Sequence, residues 1–322
     1  MRTQLPLALL AAAFAGFLAA GPAHARARVF VASYGNDSNP CTFGSPCKTF
    51  QQAVNVVDAG GEVTAIDSAG FGPINITKAV TITSPNGVEA GIVAAAGGNA
   101  ITISAGATDA IVLGGLTLDG SGVAYNGVVF NSGGSLTVTN CVVQNFFYNG
   151  IGVVTGNGIF IQPTSGKVHV TITNTIAQNN QDIGILWDNE SGSPSVSISI
   201  DHVVATNNGA GLYFAGGVTG ATADISISNS IASDNAQGIA AGSGNALTIS
   251  IDNSTIRGNS SWGIAGFQPV SILLTRSVIQ GNGTGIENDT NPSTFYTYGN
   301  NLIDLNGQNF SGIALNSSVK LR

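Results

Sequence analysis

The stretch from Leu136 to Asn306 repeats one short pattern seven times, and this repeat constrains the fold more than any other feature of the chain. The fifth residue of each copy serves as an anchor, and successive anchors lie 34, 28, 27, 24, 23 and 24 residues apart. A regular period with variable insertions indicates stacked supersecondary units. The copies read LTVTNCVVQNF from Leu136, VTITNTIAQNN from Val170, ISIDHVVATNN from Ile198, ISISNSIASDN from Ile225, ISIDNSTIRGN from Ile249, ILLTRSVIQGN from Ile272 and YTYGNNLIDLN from Tyr296.

Each copy begins with alternating apolar and polar residues, which is the period of a strand with one buried face. Six residues after the anchor, a column of asparagines recurs in successive copies: Asn180, Asn208, Asn235, Asn259, Asn282 and Asn306. Parallel stacking places equivalent positions about 4.8 Å apart, so this column is expected to pass amide hydrogen bonds from coil to coil. A Gly-aliphatic pair follows in the first six copies, as at Gly150-Ile151 and Gly184-Ile185, and the glycines are expected to supply a positive φ at a bend.

These features resemble the right-handed parallel β-helix of the pectate-lyase superfamily. The segment VFVASYGNDSNPCTFGSPCKTFQQAVN, from Val29 to Asn55, also resembles the N-terminal segment of many secreted β-helix proteins. The expected fold is therefore all-β: a right-handed parallel β-helix with a short N-terminal helical cap. The helix is expected from about Lys48 to Val57, because Phe50, Ala53 and Val54 then share one face with Val57.

The chain is expected to divide into a signal peptide at 1–25, an N-terminal strand and capping helix at 26–57, and the β-helix at 58–322. A positive start, an apolar run too short for a comfortable membrane span and the Ala23-His24-Ala25 cleavage pattern support the signal peptide. No later run is apolar enough to span a membrane. The mature protein is thus expected to be secreted, extracellular or periplasmic, and in such an oxidising compartment Cys41 and Cys47 are expected to form a disulfide.

The charge of the chain limits the classes of partner, and the spacing of the repeat indicates where a loop protrudes. Charged residues make up 8% of the chain and the net charge is −7, which argues against nucleic acid as a main partner. The 34-residue interval between Asn140 and Asn174 implies an insertion, expected as a protruding loop at about Thr155 to Lys167. Oligomeric state is left open by the sequence.

Family resemblance implies that one long face binds extended polysaccharide. Its lyases use Ca²⁺ held by clustered carboxylates with an Arg or Lys base, and its hydrolases use neighbouring Asp residues. This chain offers few such groups: between Leu136 and Asn309 the basic residues are Lys167, Arg257 and Arg276. No metal site is evident and no cofactor is identified; Ca²⁺ enters only under a lyase alternative.

The candidate catalytic residues are carboxylates of the repeat region: Asp182, Asp188, Glu190, Asp201 and Asp252. Asp182 is expected in the column of Tyr148. Asp201 and Asp252 share a column with one coil between them, a separation of about 9–10 Å that suits an inverting carboxylate pair. Solvated turns also carry such residues, and that alternative stays open.

Tyr148 and Tyr213 are the candidate ligand-binding aromatics, whereas Trp187 and Phe214 are expected to face the core. His202 and Arg276 replace Asn in the anchor column, which indicates a solvated column. The sequence favours a non-catalytic extracellular or surface scaffold that binds carbohydrate or adheres through its long face. The alternative is a polysaccharide lyase or glycoside hydrolase on extended, uronate-containing or neutral glycans, so enzyme activity is left open.

Overall fold

The computed structural model describes residues 26–147, 149–150, 154–188, 191–216, 220–242, 246–267, 270–288 and 293–312. These residues form a right-handed parallel β-helix built from three sheets of eleven, ten and ten strands, and this confirms the predicted fold. Each coil contributes one strand to each sheet in turn. Every strand pairs in parallel with the equivalent strand of the coils before and after it.

Sheet 1 holds the strands that open each repeat copy, and its strands follow the order of the coils. Its members are β1 (Arg28–Val31), β2 (Gly61–Ala65), β5 (Val80–Thr83), β8 (Ala110–Gly114), β11 (Ser135–Thr139), β14 (Lys167–Thr173), β17 (Ser195–Asp201), β20 (Thr222–Ser228), β23 (Ala246–Asp252), β26 (Ser271–Thr275) and β29 (Thr294–Thr297).

Sheet 3 follows sheet 1 along the chain and consists of shorter strands. Its members are β3 (Ala69–Gly70), β6 (Ala90–Val93), β9 (Leu116–Asp119), β12 (Val142–Gln144), β15 (Ile176–Gln178), β18 (Val204–Thr206), β21 (Ile231–Ser233), β24 (Thr255–Arg257), β27 (Val278–Gln280) and β30 (Leu302–Asp304).

Sheet 2 completes each coil with the strands that contain the Gly-aliphatic pairs. Its members are β4 (Ile74–Ile76), β7 (Asn99–Ser104), β10 (Asn126–Ser132), β13 (Asn157–Ile161), β16 (Ile183–Trp187), β19 (Ala210–Phe214), β22 (Gln237–Ala241), β25 (Trp262–Gly266), β28 (Thr284–Asn288) and β31 (Gln308–Gly312).

A continuous apolar core fills the space between the three sheets, because alternate residues of each strand point inward. Trp187 and Phe214 are fully buried in it, as expected. At the N-terminal end, helix α1 (Phe50–Val56) packs against β1, β2 and β4 and buries Phe50 and Ala53. Thr49 caps the helix by accepting a hydrogen bond from the backbone N–H of Gln52. A helix at this position covers apolar surface at the end of the stack.

A disulfide joins Cys41 to Cys47 beside this helix. The third cysteine, Cys141, is free and buried, and burial raises the pKa of its thiol to about 11. A thiol with so high a pKa is a poor nucleophile at neutral pH. None of the helices in the described part of the chain has the length and apolar character that crossing a membrane requires.

The chain passes from sheet 1 to sheet 3 through the anchor residue, and we call this bend the anchor turn. Every anchor from Asn140 to Arg276 adopts a left-handed conformation, with φ between 45° and 54°. Asn tolerates this region better than most residues, which explains why it predominates in the column. The anchor positions are Asn140, Asn174, His202, Asn229, Asn253 and Arg276.

The chain passes from sheet 3 to sheet 2 through the buried asparagine column, and we call this bend the ladder turn. Each asparagine from Asn180 to Asn282 donates from Nδ2 to Oδ1 of the asparagine one coil further along, at distances between 2.8 Å (Asn259 to Asn282) and 3.1 Å (Asn208 to Asn235). The same Oδ1 accepts the backbone N–H of the preceding asparagine. The bonded series is Asn180, Asn208, Asn235, Asn259, Asn282 and Asn306.

The conserved spacing of the Gly-aliphatic pairs has a different cause from the one predicted. Gly184, Gly211 and the equivalent glycines that follow them do not have a positive φ. A Cβ at Gly211 would lie 2.6 Å from the carbonyl oxygen of Gly238 and 3.0 Å from Nδ2 of Asn235. These glycines are therefore required by the close approach of the next coil and of the asparagine ladder.

The register also corrects the position of the insertion. Ile159, not Ile151, pairs with Ile185, so Gly158-Ile159 is the Gly-aliphatic pair of its coil. Residues 157–161 form β13, within the segment expected as a protruding loop. The extra residues of this coil therefore lie before β13, where 151–153 fall outside the described residues.

Candidate functional site

Two predicted carboxylates and one predicted aromatic lie on or beside two neighbouring strands of sheet 2. Asp182 directly precedes β16 and Asp188 directly follows it, while Tyr213 lies on the neighbouring strand β19, paired with Leu186. Tyr213 is half-buried. The register places Asp182 beside Gly156, to whose carbonyl it donates its backbone N–H, so its expected alignment with Tyr148 was wrong. Tyr148 itself and Glu190 lie outside the described residues.

The charges of the two carboxylates act on the phenol of Tyr213. Burial raises the pKa of Tyr213, and the negative charges of Asp188 and Asp182 raise it further. Burial also raises the pKa of Asp182. A carboxyl group that is partly removed from water holds its proton to a higher pH than usual. The site therefore combines a neutral phenol with a carboxyl group at each end of strand β16.

The outer face of sheet 2 beside Tyr213 is apolar, and the residues that form it are buried. Residues that point outward from sheet 2 form a second hydrophobic cluster, separate from the main core, and Val154 and Tyr213 pack against it. In the direction of the C-terminus, the column that contains Tyr213 continues with Ala240, Ala265 and Glu287. Trp262 stands beside this column and contacts Phe267 edge to face, with ring centroids 5.2 Å apart. The cluster residues are Val129, Phe160, Ile183, Leu186 and Ala210.

Sequence reasoning did not identify this apolar outer face. The signal is present, because Ile159-Phe160-Ile161 and Ile185-Leu186-Trp187 are unbroken apolar runs. Such runs are typical of strands that are covered on both faces. The repeat analysis concentrated on the alternating strands of sheet 1 and treated these runs only as the start of a further strand.

Asp201 lies elsewhere, at the end of β17 beside the anchor turn. Its carboxylate accepts hydrogen bonds from Ser228 Oγ at 2.6 Å and Asn229 Nδ2 at 2.7 Å, and it lies 2.6 Å from Nδ1 of His202. These bonds, led by that from Ser228, lower the pKa of Asp201 to about 2. A carboxyl group with so low a pKa remains ionised and is unsuited to act as a general acid near neutral pH.

Asp252 occupies the same column two strand steps further, with Ser228 between them, as the repeat predicts. Its two carboxylate oxygens pair with Arg276, with Nε of Arg276 2.9 Å from Oδ1. Two strand steps correspond to about 9.6 Å. Each carboxylate is thus engaged by its own partners, Ser228 and Asn229 for Asp201 and Arg276 for Asp252.

The basic residues of the repeat region lie away from Tyr213. Lys167 begins β14 in sheet 1, Arg257 ends β24 in sheet 3, and Arg276 occupies the anchor turn. Within the described ranges, no group of three or more His, Cys, Asp or Glu residues could hold a metal ion.

The family comparison agrees with the architecture. Residues 157–322, just over half of the 322-residue chain, match the family described as right handed beta helix region. A search of curated protein sequences found no match.

Among solved structures, the chain is similar to pectate lyase Pel9A, with 17% identity, a TM-score of 0.62, and coverage of 84% of this chain and 74% of that chain. It is also similar to XylC, solved in complex with xylose, with 8% identity, a TM-score of 0.56 and coverage of 84% and 68%. A rhamnogalacturonan lyase aligns with a TM-score of 0.42 at 12% identity, covering 92% of this chain and 85% of its own. At these identities the similarities to the first two structures show the fold alone. With the match over residues 157–322 and the three parallel sheets, the chain belongs to the right-handed β-helix family.

Proposed function

We propose that this protein is a secreted, non-catalytic scaffold that binds an extended neutral glycan along the outer face of sheet 2. The observation that carries this proposal is the position of Tyr213, which is half-buried against the apolar cluster and remains partly accessible, with the partly accessible Asp182 and Asp188 at the two ends of the adjacent strand. A sugar ring offers apolar C–H faces to an aromatic ring and hydroxyl donors to carboxylates. Recognition sites commonly combine an apolar surface with a few placed polar groups.

The charge of the face favours neutral over acidic glycans. Asp182, Asp188 and Glu287 lie on or beside this face, whereas the basic residues of the repeat region lie on other parts of the surface. A polyuronate would bring its own carboxylates close to these groups and would be repelled. Glycan binding is also in keeping with two proteins of similar fold, a pectate lyase and XylC, which was solved in complex with xylose.

Secretion is part of the proposal. Residues 1–25 lie outside the described residues, and their sequence has the features of a signal peptide. The Cys41–Cys47 disulfide supports an oxidising compartment. A net charge of −7 disfavours nucleic acid as a partner.

A second candidate, glycoside hydrolysis, is favoured by the raised pKa of Asp182, since a general acid must keep its proton near the working pH. Its weakness is distance. Asp182 and Asp188 are separated by β16, so their Cα atoms lie about 20 Å apart at the rise of an extended strand. Inverting pairs are separated by only about 6.5–9.5 Å. Asp188 therefore lies too far from Asp182 to act as its partner carboxylate.

The experiment is a combined binding and cleavage screen with purified mature protein. Xylan, neutral glucans and polygalacturonate are tested by affinity electrophoresis, and products are followed by reducing ends and by the ultraviolet absorbance of unsaturated sugars. We expect one neutral glycan to bind without cleavage. Tyr213→Ala should abolish binding, while Tyr296→Ala on sheet 1 should not, because Tyr296 is an exposed tyrosine of another face.

If the parent protein cleaves a glycan and the Asp182→Asn variant does not, the proposal of a non-catalytic scaffold is wrong and the hydrolase is supported. Preferential binding of polygalacturonate would contradict the assignment to neutral glycans. Equal effects of Tyr213→Ala and Tyr296→Ala, or no binding across the panel, would remove the outer face of sheet 2 as the site.

A further inference from the structure

A cavity of about 430 Å³ lies on the outer face of sheet 1, where strands β14, β17, β20 and β23 begin. It is separate from the face that carries Tyr213, because sheets 1 and 2 are different walls of the β-helix. The polar side chains that line the cavity are Lys167, His169, Ser195, Ser197, Thr222, Asp224 and Thr248.

The strand register arranges these side chains as a grid. Lys167, Ser195 and Thr222 form one column, and His169, Ser197, Asp224 and Thr248 form the next. Neighbouring positions in a column are about 4.8 Å apart, and neighbouring columns are about 6.7 Å apart. All of these positions point outward, because the residues between them, such as Val168 and Val196, belong to the core.

The two sides of the grid differ in charge. Strand β14 contributes the cationic Lys167 and the ring nitrogens of His169, and β20 contributes the carboxylate of Asp224. His169 and Asp224 share a column with only Ser197 between them, so their Cα atoms lie about 9.6 Å apart. This separation leaves room for one sugar ring between a donor end and an acceptor end. The serine and threonine hydroxyls between the two ends can both donate and accept.

We propose that this cavity binds a sulfated sugar residue, with the sulfate ester at Lys167 and the ring hydroxyls at Asp224. A lysine ammonium is a compact charge with three freely oriented donors, whereas planar carboxylates are best matched by the paired donors of arginine. The neighbouring hydroxyl of Ser195 and the ring of His169 add donors for the remaining sulfate oxygens. Asp224 accepts hydrogen bonds from ring hydroxyls, which an anion without a sugar would not supply.

The test is isothermal titration calorimetry, which measures the dissociation constant of the mature protein at low salt for glucose 6-sulfate, glucuronate, glucose and inorganic sulfate. Glucose 6-sulfate is expected to bind most tightly. Lys167→Gln and Asp224→Asn should each weaken its binding about tenfold or more, because each removes a hydrogen bond to a charged group. Arg257→Gln, an exposed cation on sheet 3, is the matched control and should leave binding unchanged.

Tyr213→Ala should also leave this binding unchanged, so the cavity is tested independently of the glycan site on sheet 2. Equal affinity for glucuronate and glucose 6-sulfate would overturn the choice of sulfate. Equal affinity for inorganic sulfate, with no effect of Asp224→Asn, would overturn the sugar part of the proposal. Absence of any binding by variants and parent alike, with unchanged circular dichroism spectra, would overturn it altogether.

Discussion

Two asparagine-rich columns run along this molecule, and they are made of the same residue for different reasons. In the ladder turn, Asn208, Asn235 and their equivalents are buried, and each side chain bonds to the next coil. In the anchor turn, Asn174 and Asn229 are exposed, and the feature common to the column from Asn140 to Arg276 is a left-handed backbone; some of its side chains, such as Asn229, also bond to a neighbouring coil. One column depends on the amide side chain, and the other depends on the backbone conformation that Asn tolerates.

This difference explains where substitution occurs. The anchor column accepts His202 and Arg276, which adopt φ values of 52° and 48° at the modest cost of a left-handed residue. The described part of the ladder column from Asn180 to Asn306 accepts no other residue, because each missing amide would leave buried groups of two coils without partners. Side-chain chemistry is therefore under tighter constraint than backbone shape in this fold.

The largest effect is expected from Asn235→Ala. The substitution removes the acceptor of the Asn208 backbone and side chain and the donor to Asn259 and to the carbonyl of Ala205. Several buried polar groups then lack partners, at a cost of about 3 kcal/mol or more in the free energy of unfolding. Urea denaturation measures this loss. Asn174→Ala is the matched control at an exposed anchor, and an equal loss in both variants would contradict the contrast between the columns.

A smaller effect is expected from Gly211→Ala, which tests the close approach between the ladder and sheet 2. The new Cβ would meet the Gly238 carbonyl oxygen at 2.6 Å and Asn235 Nδ2 at 3.0 Å. Overpacking of this kind costs about 1–3 kcal/mol. Gly70→Ala is the control, because a Cβ there has open space. If thermal unfolding shows the same midpoint for both variants, the coils are able to separate at no cost and the steric account is wrong.

The anchor column is tested by comparing Asn174→Gly with Asn174→Val. Glycine adopts the φ of 48° without strain, whereas a β-branched residue does not. The valine variant should be less stable than the glycine variant by about 1–2 kcal/mol in urea denaturation. Thr173→Val, one residue earlier on the extended strand, should show little loss. Equal stability of the glycine and valine variants would show that the backbone of this column is not the constraint.

The smallest effect is expected from the titration of Asp201. Its pKa is about 2 in the folded protein, below its ordinary value of 3.8, because Ser228, His202 and Asn229 bond to the ionised form. Stability from this group is therefore present above pH 3.8 and lost as the pH falls toward 2. Because Asp201 and His202 are largely exposed to solvent, the contribution of the Asp201 carboxylate to the free energy of unfolding should stay below about 1 kcal/mol. Asp201→Asn should be slightly less stable than the parent at pH 6 and equal to it near pH 2, and a difference that persists at pH 2 would contradict this explanation.

The architecture could be predicted from the repeat, because the period of the repeat determines the register in which neighbouring coils pair. Once Asn208 and Asn235 occupy equivalent positions, parallel stacking places them in the same turn of adjacent coils. The columns of Asp201 and Asp252 followed in the same way. What periodicity does not contain is the path of an irregular segment, so the insertion before β13 was assigned to the wrong side of Gly158.

The candidate site was only partly accessible from sequence. Tyr213, Asp182 and Asp188 were named individually, but their shared environment depends on which residues flank β16 and on the cover over the outer face of sheet 2. The role of the glycines was also misassigned, because the close contact between Gly211 and Gly238 is a contact between coils and leaves no local sequence signal other than glycine itself.

The asparagine ladder has one direction: every Nδ2 donates toward the C-terminal neighbour, from Asn180 to Asn306. Each coil therefore presents the same acceptor at one side and the same donor at the other. Excision of residues 229–252, one coil of 24 residues, would bring Asn208 against Asn259 with an unchanged pairing rule. The chain is in this sense a modular polymer, and a gene duplication or deletion in whole coils changes the length of the molecule without requiring a new junction.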